Sequence, residues 1–213
     1  MSALIRVVLS HKEIQIEPGQ KGELLATIQN LGEIVDQYSV EVEGLDKSWF
    51  TISPEEISLF PQDQGRVRVS LHPPAGSESK GGNYDFTVRV TSREVPVERT
   101  SVQVTLAILP ITGFELAMSP ERMSTTKEGL FGVRLINTGN VDLTMDFEAT
   151  DPEIGCDYRF EPGRVSVSAG GSVQVSLAVV PKKRPPRGGT KRYDFTVKAT
   201  PTTIPTQAKV VVG

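Results

Sequence analysis

Apolar and polar residues alternate with a period of two along most of the chain. The segments in which this alternation is clearest are 39–43, 66–72, 85–90, 101–106 and 172–177. Successive side chains of a strand point to opposite faces, so each segment predicts a strand with one apolar face toward a core and one polar face toward water. Residues 4–16 alternate in the same way and predict a further strand. No stretch has helical periodicity over more than about two turns.

Glycine and proline mark the turns between these segments. The chain contains 19 glycines and 15 prolines, and they cluster at 17–19, 72–74 and 169–171. Short strands separated by such turn residues, in units of about a hundred residues, are typical of a β-sandwich of about seven strands.

An internal repeat divides the 213 residues into two copies of one unit. The sequence Tyr-Asp-Phe-Thr-Val at 84–88 recurs at 193–197, an offset of 109 residues, and Asn30 with Gly32 recurs as Asn137 with Gly139, an offset of 107. Nearly constant offsets over a whole unit indicate a tandem repeat. We therefore predict an all-β protein of two tandem immunoglobulin-like (fibronectin-III-like) β-sandwich domains, at residues 1–109 and 110–213.

A longer pattern of residues runs through each copy, fully in the first and in part in the second. In the first copy they are Asn30, Gly32, Gly44, Leu45, Trp49, Pro54, Pro61, Val67, Val69, Leu71, Pro73, Gly82, Tyr84 and Val88. In the second copy they are Asn137, Gly139, Pro162, Val173, Val175, Leu177, Pro181, Gly189, Tyr193 and Val197. This pattern resembles the prokaryotic immunoglobulin-like repeat found beside carbohydrate-binding modules in glycosidases and in long envelope proteins.

The resemblance implies a spacer, adhesion or assembly module, often one of several in a row. It also implies that the Trp49 side chain is buried at the end or in the core of the first sandwich. The second copy lacks this tryptophan, and we expect Tyr158 and Phe160 to fill the space. An exposed Trp49 would instead favour an accessory carbohydrate-binding domain.

The Asn-x-Gly pair of each copy predicts a structural turn, because asparagine side chains bond nearby backbone groups and glycine tolerates positive φ. In the Tyr-Asp-Phe-Thr-Val segments, the alternation predicts that the phenylalanine faces inward. We expect the tyrosine hydroxyl to bond a nearby turn.

Composition argues against an enzyme. Cys156 is the only cysteine, which excludes an internal disulfide framework and a cysteine-clustered zinc site, and the only histidines are His11 and His72. No Gly-x-Ser-x-Gly turn precedes a helix. We predict no catalytic residue, no metal and no cofactor. The net charge of −3 is too balanced for a general nucleic-acid binder, and we expect no sequence-specific nucleic-acid binding.

Acidic residues cluster between positions 142 and 157. Asn140, Asp142 and Asp151 lie on predicted loops or their edges and offer oxygen ligands for calcium, which binds six to eight oxygens. Their spacing matches no calcium loop, so a solvated strand face is the favoured interpretation. Cys156 is interpreted as a buried or tolerated thiol rather than a nucleophile.

The segment 182–192 carries six positive charges and no negative one. Its cations are Lys182, Lys183, Arg184, Arg187, Lys191 and Arg192. The counterpart loop, 75–83, has one lysine and one glutamate, so this charge exceeds what the fold requires. Residues 1–110 carry 10 basic and 15 acidic groups, whereas residues 111–213 carry 13 and 11. The basic loop is a candidate site for an anionic partner, such as an acidic protein, a polyanion or an anionic lipid surface. The alternative is a solvated hairpin.

The favoured function is a non-catalytic structural spacer or protein-interaction module within a larger multi-domain protein. Its partner would be another protein, other domains of the parent chain or an anionic surface. No window approaches eighteen consecutive apolar residues, so we expect no transmembrane segment. No signal peptide is visible, and a cytoplasmic protein and a fragment of an envelope protein both remain open.

Overall fold

A computed structural model describes residues 4–183 and 189–213. The chain forms two compact units, residues 1–110 and 111–213, and each is a sandwich of two β-sheets. The predicted all-β, immunoglobulin-like class is confirmed. The helices in the described ranges are single 3-10 turns at Lys47–Trp49, Gly76–Glu78 and Pro205–Gln207. None of these is long and apolar enough to cross a membrane.

The first sandwich contains nine strands within residues 4–110. They are β1 (Ile5–Leu9), β2 (Glu13–Ile16), β3 (Gly22–Asn30), β4 (Asp36–Glu43), β5 (Phe50–Ser53), β6 (Glu56–Leu59), β7 (Gln64–Leu71), β8 (Gly82–Ser92) and β9 (Arg99–Ile108). One sheet has the order β1-β3-β7-β5, and the other has the order β2-β9-β8-β4-β6. All neighbours are antiparallel except β2 and β9, which pair in parallel.

The second sandwich has eight strands in its described part. They are β10 (Phe114–Ser119), β11 (Gly129–Asn137), β12 (Leu143–Thr150), β13 (Cys156–Glu161), β14 (Arg164–Val167), β15 (Ser172–Pro181), β16 (Thr196–Pro201) and β17 (Lys209–Val212). The sheets have the orders β10-β11-β15-β13 and β14-β12-β16-β17. This is the arrangement of the first sandwich without a counterpart of β2.

The alternation of residues 4–16 predicts one strand, but the structure divides it between the two sheets. β1 pairs with β3, whereas β2 crosses over and pairs with β9. The crossing is held on both sides, because the Ser10 amide donates to the Leu25 carbonyl and the Thr105 amide donates to the Lys12 carbonyl, each at 2.9 Å. Alternation reports which face a side chain occupies and carries no information about the partner strand, so it could not show this switch.

A second switch between sheets occurs in both sandwiches. β5 pairs with β7, whereas β6, only two residues later, pairs with β4 in the opposite sheet. β13 and β14 divide in the same way between β15 and β12. A cis peptide bond lies at each of these switches, at Ser53–Pro54 and Glu161–Pro162.

Each sandwich has its own core, built from the inward faces of its two sheets. Leu24, Tyr38 and Val88 are fully buried in the first core, and Leu135 and Met145 are fully buried in the second. The phenylalanines of the repeated Tyr-Asp-Phe-Thr-Val segment are 2% and 4% exposed. Their inward orientation, predicted from the alternation, is confirmed.

Candidate functional site

The described cations of the basic loop lie beside carboxylates. Lys182 Nζ is 3.5 Å from Asp157 Oδ1, Lys191 Nζ donates to Glu153 Oε2 at 2.6 Å, and Arg192 pairs with Asp194. Lys183 is exposed, and its carbonyl accepts from a tyrosine hydroxyl. Arg184 and Arg187 lie outside the described residues. The structure therefore brings the basic loop and part of the acidic cluster together, and anion binding by the loop stays a prediction.

These ion pairs change the electrostatics of the predicted anion site. The hydrogen bond to Glu153 raises the pKa of Lys191, whose ammonium also lies 4.8 Å from the Tyr193 ring centre. The pairs are exposed to solvent, where an ion pair contributes little to stability. An anionic partner would compete with Glu153 and Asp157 for Lys191 and Lys182. Sequence reasoning treated the two charge clusters separately, although their opposite signs within one repeat copy were a usable signal.

The Asp151 side chain holds the loop between β12 and β13 through hydrogen bonds. Its carboxylate accepts hydrogen bonds from the Gly155 amide at 2.7 Å, the Cys156 amide at 3.1 Å and the Tyr158 hydroxyl at 2.8 Å. The bond from Gly155 is the main cause of the lowered pKa of Asp151. The same carboxylate contributes, after burial, to the raised pKa of Tyr158.

The other two candidate calcium ligands also bond within the fold. Asn140 Oδ1 accepts from the Ile111 amide at 2.6 Å, and Asp142 Oδ1 accepts from the Ala169 amide at 2.9 Å. Within residues 4–183 and 189–213, no group of three or more histidine, cysteine, aspartate or glutamate side chains is placed to hold a metal. The side-chain oxygens of Asn140, Asp142 and Asp151 thus accept hydrogen bonds from loop amides.

Asn30 and Asn137 fix the turns that follow β3 and β11, as predicted from their side chains, although Gly32 and Gly139 do not have a positive φ. Asn30 is 1% exposed, its Nδ2 donates to the carbonyls of Ile34 at 2.8 Å and Leu59 at 3.1 Å, and its Oδ1 accepts from the Gly32 amide at 2.9 Å. Asn137 makes the corresponding bonds in the second sandwich. One buried side chain therefore ties two loops together at the same end of each sandwich.

The loops tied by Asn30 carry exposed apolar side chains. Asp36 pairs with Leu59 at the end of the β4–β6 ladder. Val35 and Phe60 are the next residues beyond this pair, one on each strand. Ile34, Val35 and Phe60 are 58%, 50% and 67% exposed. We call these three residues the apolar rim. Sequence reasoning missed it because Ile34 and Val35 directly precede an alternating strand and are not separated from it by any turn signal.

Trp49 is a core residue. It is 8% exposed, and its ring meets that of Tyr84 edge-on at 5.0 Å between centres. The structural interpretation of Trp49 is confirmed, and the exposed sugar platform required by the carbohydrate-binding alternative does not form. In the second sandwich Tyr158 packs 5.6 Å from Phe195, and Phe160 stacks on Phe147.

Both repeat tyrosines bond a nearby loop, as expected. The Tyr84 hydroxyl donates to the Lys80 carbonyl at 2.9 Å, and the Tyr193 hydroxyl donates to the Lys183 carbonyl at 3.0 Å.

The side chains best suited to nucleophilic chemistry lie apart or are buried. His11 is exposed and contacts Ser10 Oγ at 3.1 Å, whereas His72 directly follows β7. Cys156 is buried at 4% exposure, and this burial, followed by the charge of Asp151, raises the pKa of its thiol. A raised thiol pKa lowers the fraction of reactive thiolate at neutral pH.

No known family model matches the chain, and no curated protein matches it in sequence. Several solved structures are similar to it. A protein of unknown function from Porphyromonas gingivalis W83 is 17% identical with a TM-score of 0.38, and the match covers 97% of both chains. The periplasmic chaperone SfaE is 17% identical with a TM-score of 0.37, covering 98% of this chain and 99% of that one. The E. coli chaperone DraB is 12% identical with a TM-score of 0.35, covering 100% and 99%.

The described architecture itself defines the class, which is a pair of immunoglobulin-like β-sandwiches. The narrower resemblance to repeats beside carbohydrate-binding modules finds no match in these comparisons and stays a prediction.

Proposed function

We propose that the chain is a non-catalytic protein-interaction module made of two separately folding β-sandwich domains. The apolar rim of the first sandwich is the observation that carries this proposal. Ile34, Val35 and Phe60 are each at least half exposed, and they lie just beyond the Asp36–Leu59 pair that ends the β4–β6 ladder. Neighbouring exposed apolar side chains of this kind are typical of protein contact surfaces.

The apolar rim is held in place before any partner arrives. Asn30 bonds the Ile34 and Leu59 carbonyls, and the Gln62 amide donates to the Asn30 carbonyl at 2.9 Å. A preorganised surface loses less conformational entropy on binding than a mobile one. Full burial of each apolar side chain by a partner would contribute about 1.5–3 kcal/mol.

The non-catalytic part of the proposal is supported by the roles of the reactive groups. Asp151, Asn30 and Asn137 use their polar atoms to hold loops, and Cys156 is buried with a raised thiol pKa. Nucleophilic catalysis requires a nucleophile, a base and an orienting group in contact. His11 contacts Ser10, its own neighbour in the chain, at an exposed turn.

Site-specific photo-cross-linking tests the interaction role. A photoreactive amino acid replaces Phe60 in the chain produced in its native cell, and mass spectrometry identifies the adducts. The matched control carries the same group at Lys47, an exposed position that follows the opposite end of β4. We expect a discrete set of protein adducts at Phe60 that is absent at Lys47. Equal labelling at both positions, or none at Phe60, would overturn the proposal.

A further inference from the structure

The outer face of the sheet β1-β3-β7-β5 carries positive charge. The strands of this sheet contain three arginines, Arg6, Arg66 and Arg68, and Glu23 as their one acidic residue. All three arginines are exposed, and so is Lys21, which lies one residue before β3. We call Arg6, Lys21, Arg66 and Arg68 the cationic face.

The strand register places the three arginines on the same side of the sheet. Arg6, Arg66 and Arg68 lie opposite positions 29, 27 and 25 of β3. The residues of β3 at positions 24, 26 and 28 are fully buried, so the alternate positions and their partners face away from the core. Arg66 and Arg68 are two residues apart, which separates their backbones by about 7 Å, and Arg6 lies two strands away, about 10 Å across the sheet.

Most of this charge has no carboxylate beside it. Arg68 Nε lies 3.1 Å from Glu23 Oε2, across the two paired strands. Within residues 4–183 and 189–213, Arg6, Lys21 and Arg66 form no ion pair. The screening length is about 10 Å at 0.1 M salt, so an approaching anion meets the combined field of neighbouring cations.

The opposite sheet of the first sandwich has the opposite charge balance. Its strands contain the acidic residues Glu13, Asp36, Glu41, Glu43, Glu56 and Asp85. Their cations are Arg89, which pairs with Glu43, and Arg99. Because residues 1–110 carry 10 basic and 15 acidic groups, the cationic face is a local departure from an acidic composition.

The second sandwich keeps the sheet but not its charge. The strand registers and chain positions give the counterparts of Arg6, Lys21, Arg66 and Arg68 as, in that order, Glu115, Glu128, Gln174 and Ser176. Two positions therefore reverse their charge and two lose it. The fold forms without these cations, so they are available for a contact outside the sandwich.

The side chains of the cationic face suit protein carboxylates. Three of its four members are arginines, whose planar guanidinium groups pair with carboxylates through two hydrogen bonds. Arginine is enriched in protein interfaces, whereas lysine is depleted. Binding of single-stranded nucleic acid uses aromatic platforms, but the one aromatic residue of these strands, Phe50, packs against the core.

We propose that the cationic face binds an extended acidic segment of another protein. Carboxylates at alternate positions of an extended segment are about 7 Å apart, which matches the separation of Arg66 and Arg68 along β7. This contact goes beyond the proposed function, because it adds a second surface to the first sandwich and gives the chemistry of its partner.

The test is a titration of the full chain with a fluorescent peptide in which glutamate and serine alternate. The six cations of 182–192 are replaced by serine throughout, so that this loop cannot bind the peptide. We expect binding by fluorescence anisotropy at about 50 mM salt that weakens at about 200 mM. The triple variant R6Q, R66Q and R68Q should bind at least about tenfold more weakly, because it removes three exposed charge pairs.

A second triple variant removes the same charge from the same sandwich. It carries R89Q, R93Q and R99Q, at the opposite sheet, and we expect its affinity to change less than about threefold. Far-UV circular dichroism checks that both variants are folded. An equal loss in the two variants, or no binding to the unmodified first sandwich, would overturn the inference.

Two further probes test the class of partner. A peptide of the same composition with all its glutamates in one block should bind more weakly than the alternating peptide, and equal affinity would contradict an extended partner. Tighter binding of polyphosphate or of phosphatidylserine vesicles than of the alternating peptide would overturn the assignment to a protein. Cross-linking at Phe60 examines the apolar rim and this titration examines the cationic face, so either proposal can fail alone.

Discussion

Removing the Asn30 side chain tests the role of the Asn-x-Gly turn in stability. Asn30→Ala deletes the hydrogen bonds to Ile34, Leu59 and Gly32, of which the last two are buried. Three bonds at a net value of about 1 kcal/mol each give a loss of about 3 kcal/mol. The loss rises to about 5 kcal/mol if the Leu59 carbonyl and the Gly32 amide find no water, because an unpaired buried group costs about 1–3 kcal/mol.

The position of the single tryptophan provides a selective assay. Trp49 lies in the core of the first sandwich, so its fluorescence reports the unfolding of that sandwich in urea. With an m value of about 1.5 kcal/mol/M, a loss of 3 kcal/mol lowers the midpoint by about 2 M. Asn137→Ala makes the same change in the other core, and we expect it to leave the Trp49 transition in place while far-UV circular dichroism shows a weaker second sandwich.

A charged variant separates hydrogen bonding from packing. Asn30→Asp keeps the shape and the acceptor for the Gly32 amide, but it replaces both donated bonds by repulsion between a carboxylate and two carbonyl oxygens. We expect it to destabilise at least as much as alanine at neutral pH and to recover partly in acid. A midpoint shift under about 0.5 M for Asn30→Ala, or an equal shift of the Trp49 transition in Asn137→Ala, would refute this reasoning.

Three further outcomes are expected. Burial of Cys156 and its raised pKa should make the native thiol react with a disulfide reagent at least about tenfold more slowly than the urea-unfolded chain, and equal rates would contradict this. Burial, followed by the charge of Asp36, raises the pKa of Tyr38 from 10.0 to about 12. The folded state therefore holds this proton more tightly, and its stabilising effect is complete below pH 10 and is lost as pH rises toward 12. The loss is up to about 3 kcal/mol, and Tyr38→Phe should remove it from the pH dependence of the Trp49 midpoint. If the basic loop binds anions, replacing all six cations of 182–192 by serine should abolish retention on a polyanion at about 50 mM salt, and retention of the unmodified chain should fall at about 200 mM. Unchanged retention would refute the anion hypothesis.

The sequence predicted those features that depend on interactions between residues close together in the chain. Period-two alternation located strands such as β7 and β15, because the side chain's face depends only on its own backbone. The repeated Asn-x-Gly predicted the turns fixed by Asn30 and Asn137, since the asparagine oxygen and the glycine amide that it accepts from are two residues apart in the chain. The expected positive φ was wrong, because Gly32 and Gly139 do not adopt it.

The alternation of apolar and polar residues could not predict contacts between residues that are far apart in the chain. The switch of the N-terminal segment between β3 and β9 depends on which edges the rest of the fold leaves unpaired. The contact of Lys191 with Glu153 joins residues 38 positions apart, and the apolar rim joins two loops that meet only in the folded sandwich. Each of these contacts depends on the order of strands in the sheets. In this sequence, the internal repeat was the only pattern that carried information about that order.

The parallel pairing of β2 with β9 has a mechanical consequence. A pull on the two ends of the first sandwich drags β2 and β9 in opposite directions along a shared ladder from Glu13 opposite Thr105 to Ile16 opposite Ile108. The force then acts in shear on all the backbone hydrogen bonds between β2 and β9 at once. In the described second sandwich no strand takes the place of β2, and β10 and β17 belong to different sheets, as β1 and β9 do. Stretched from its ends, that sandwich has no such ladder, so the first sandwich should resist the higher force.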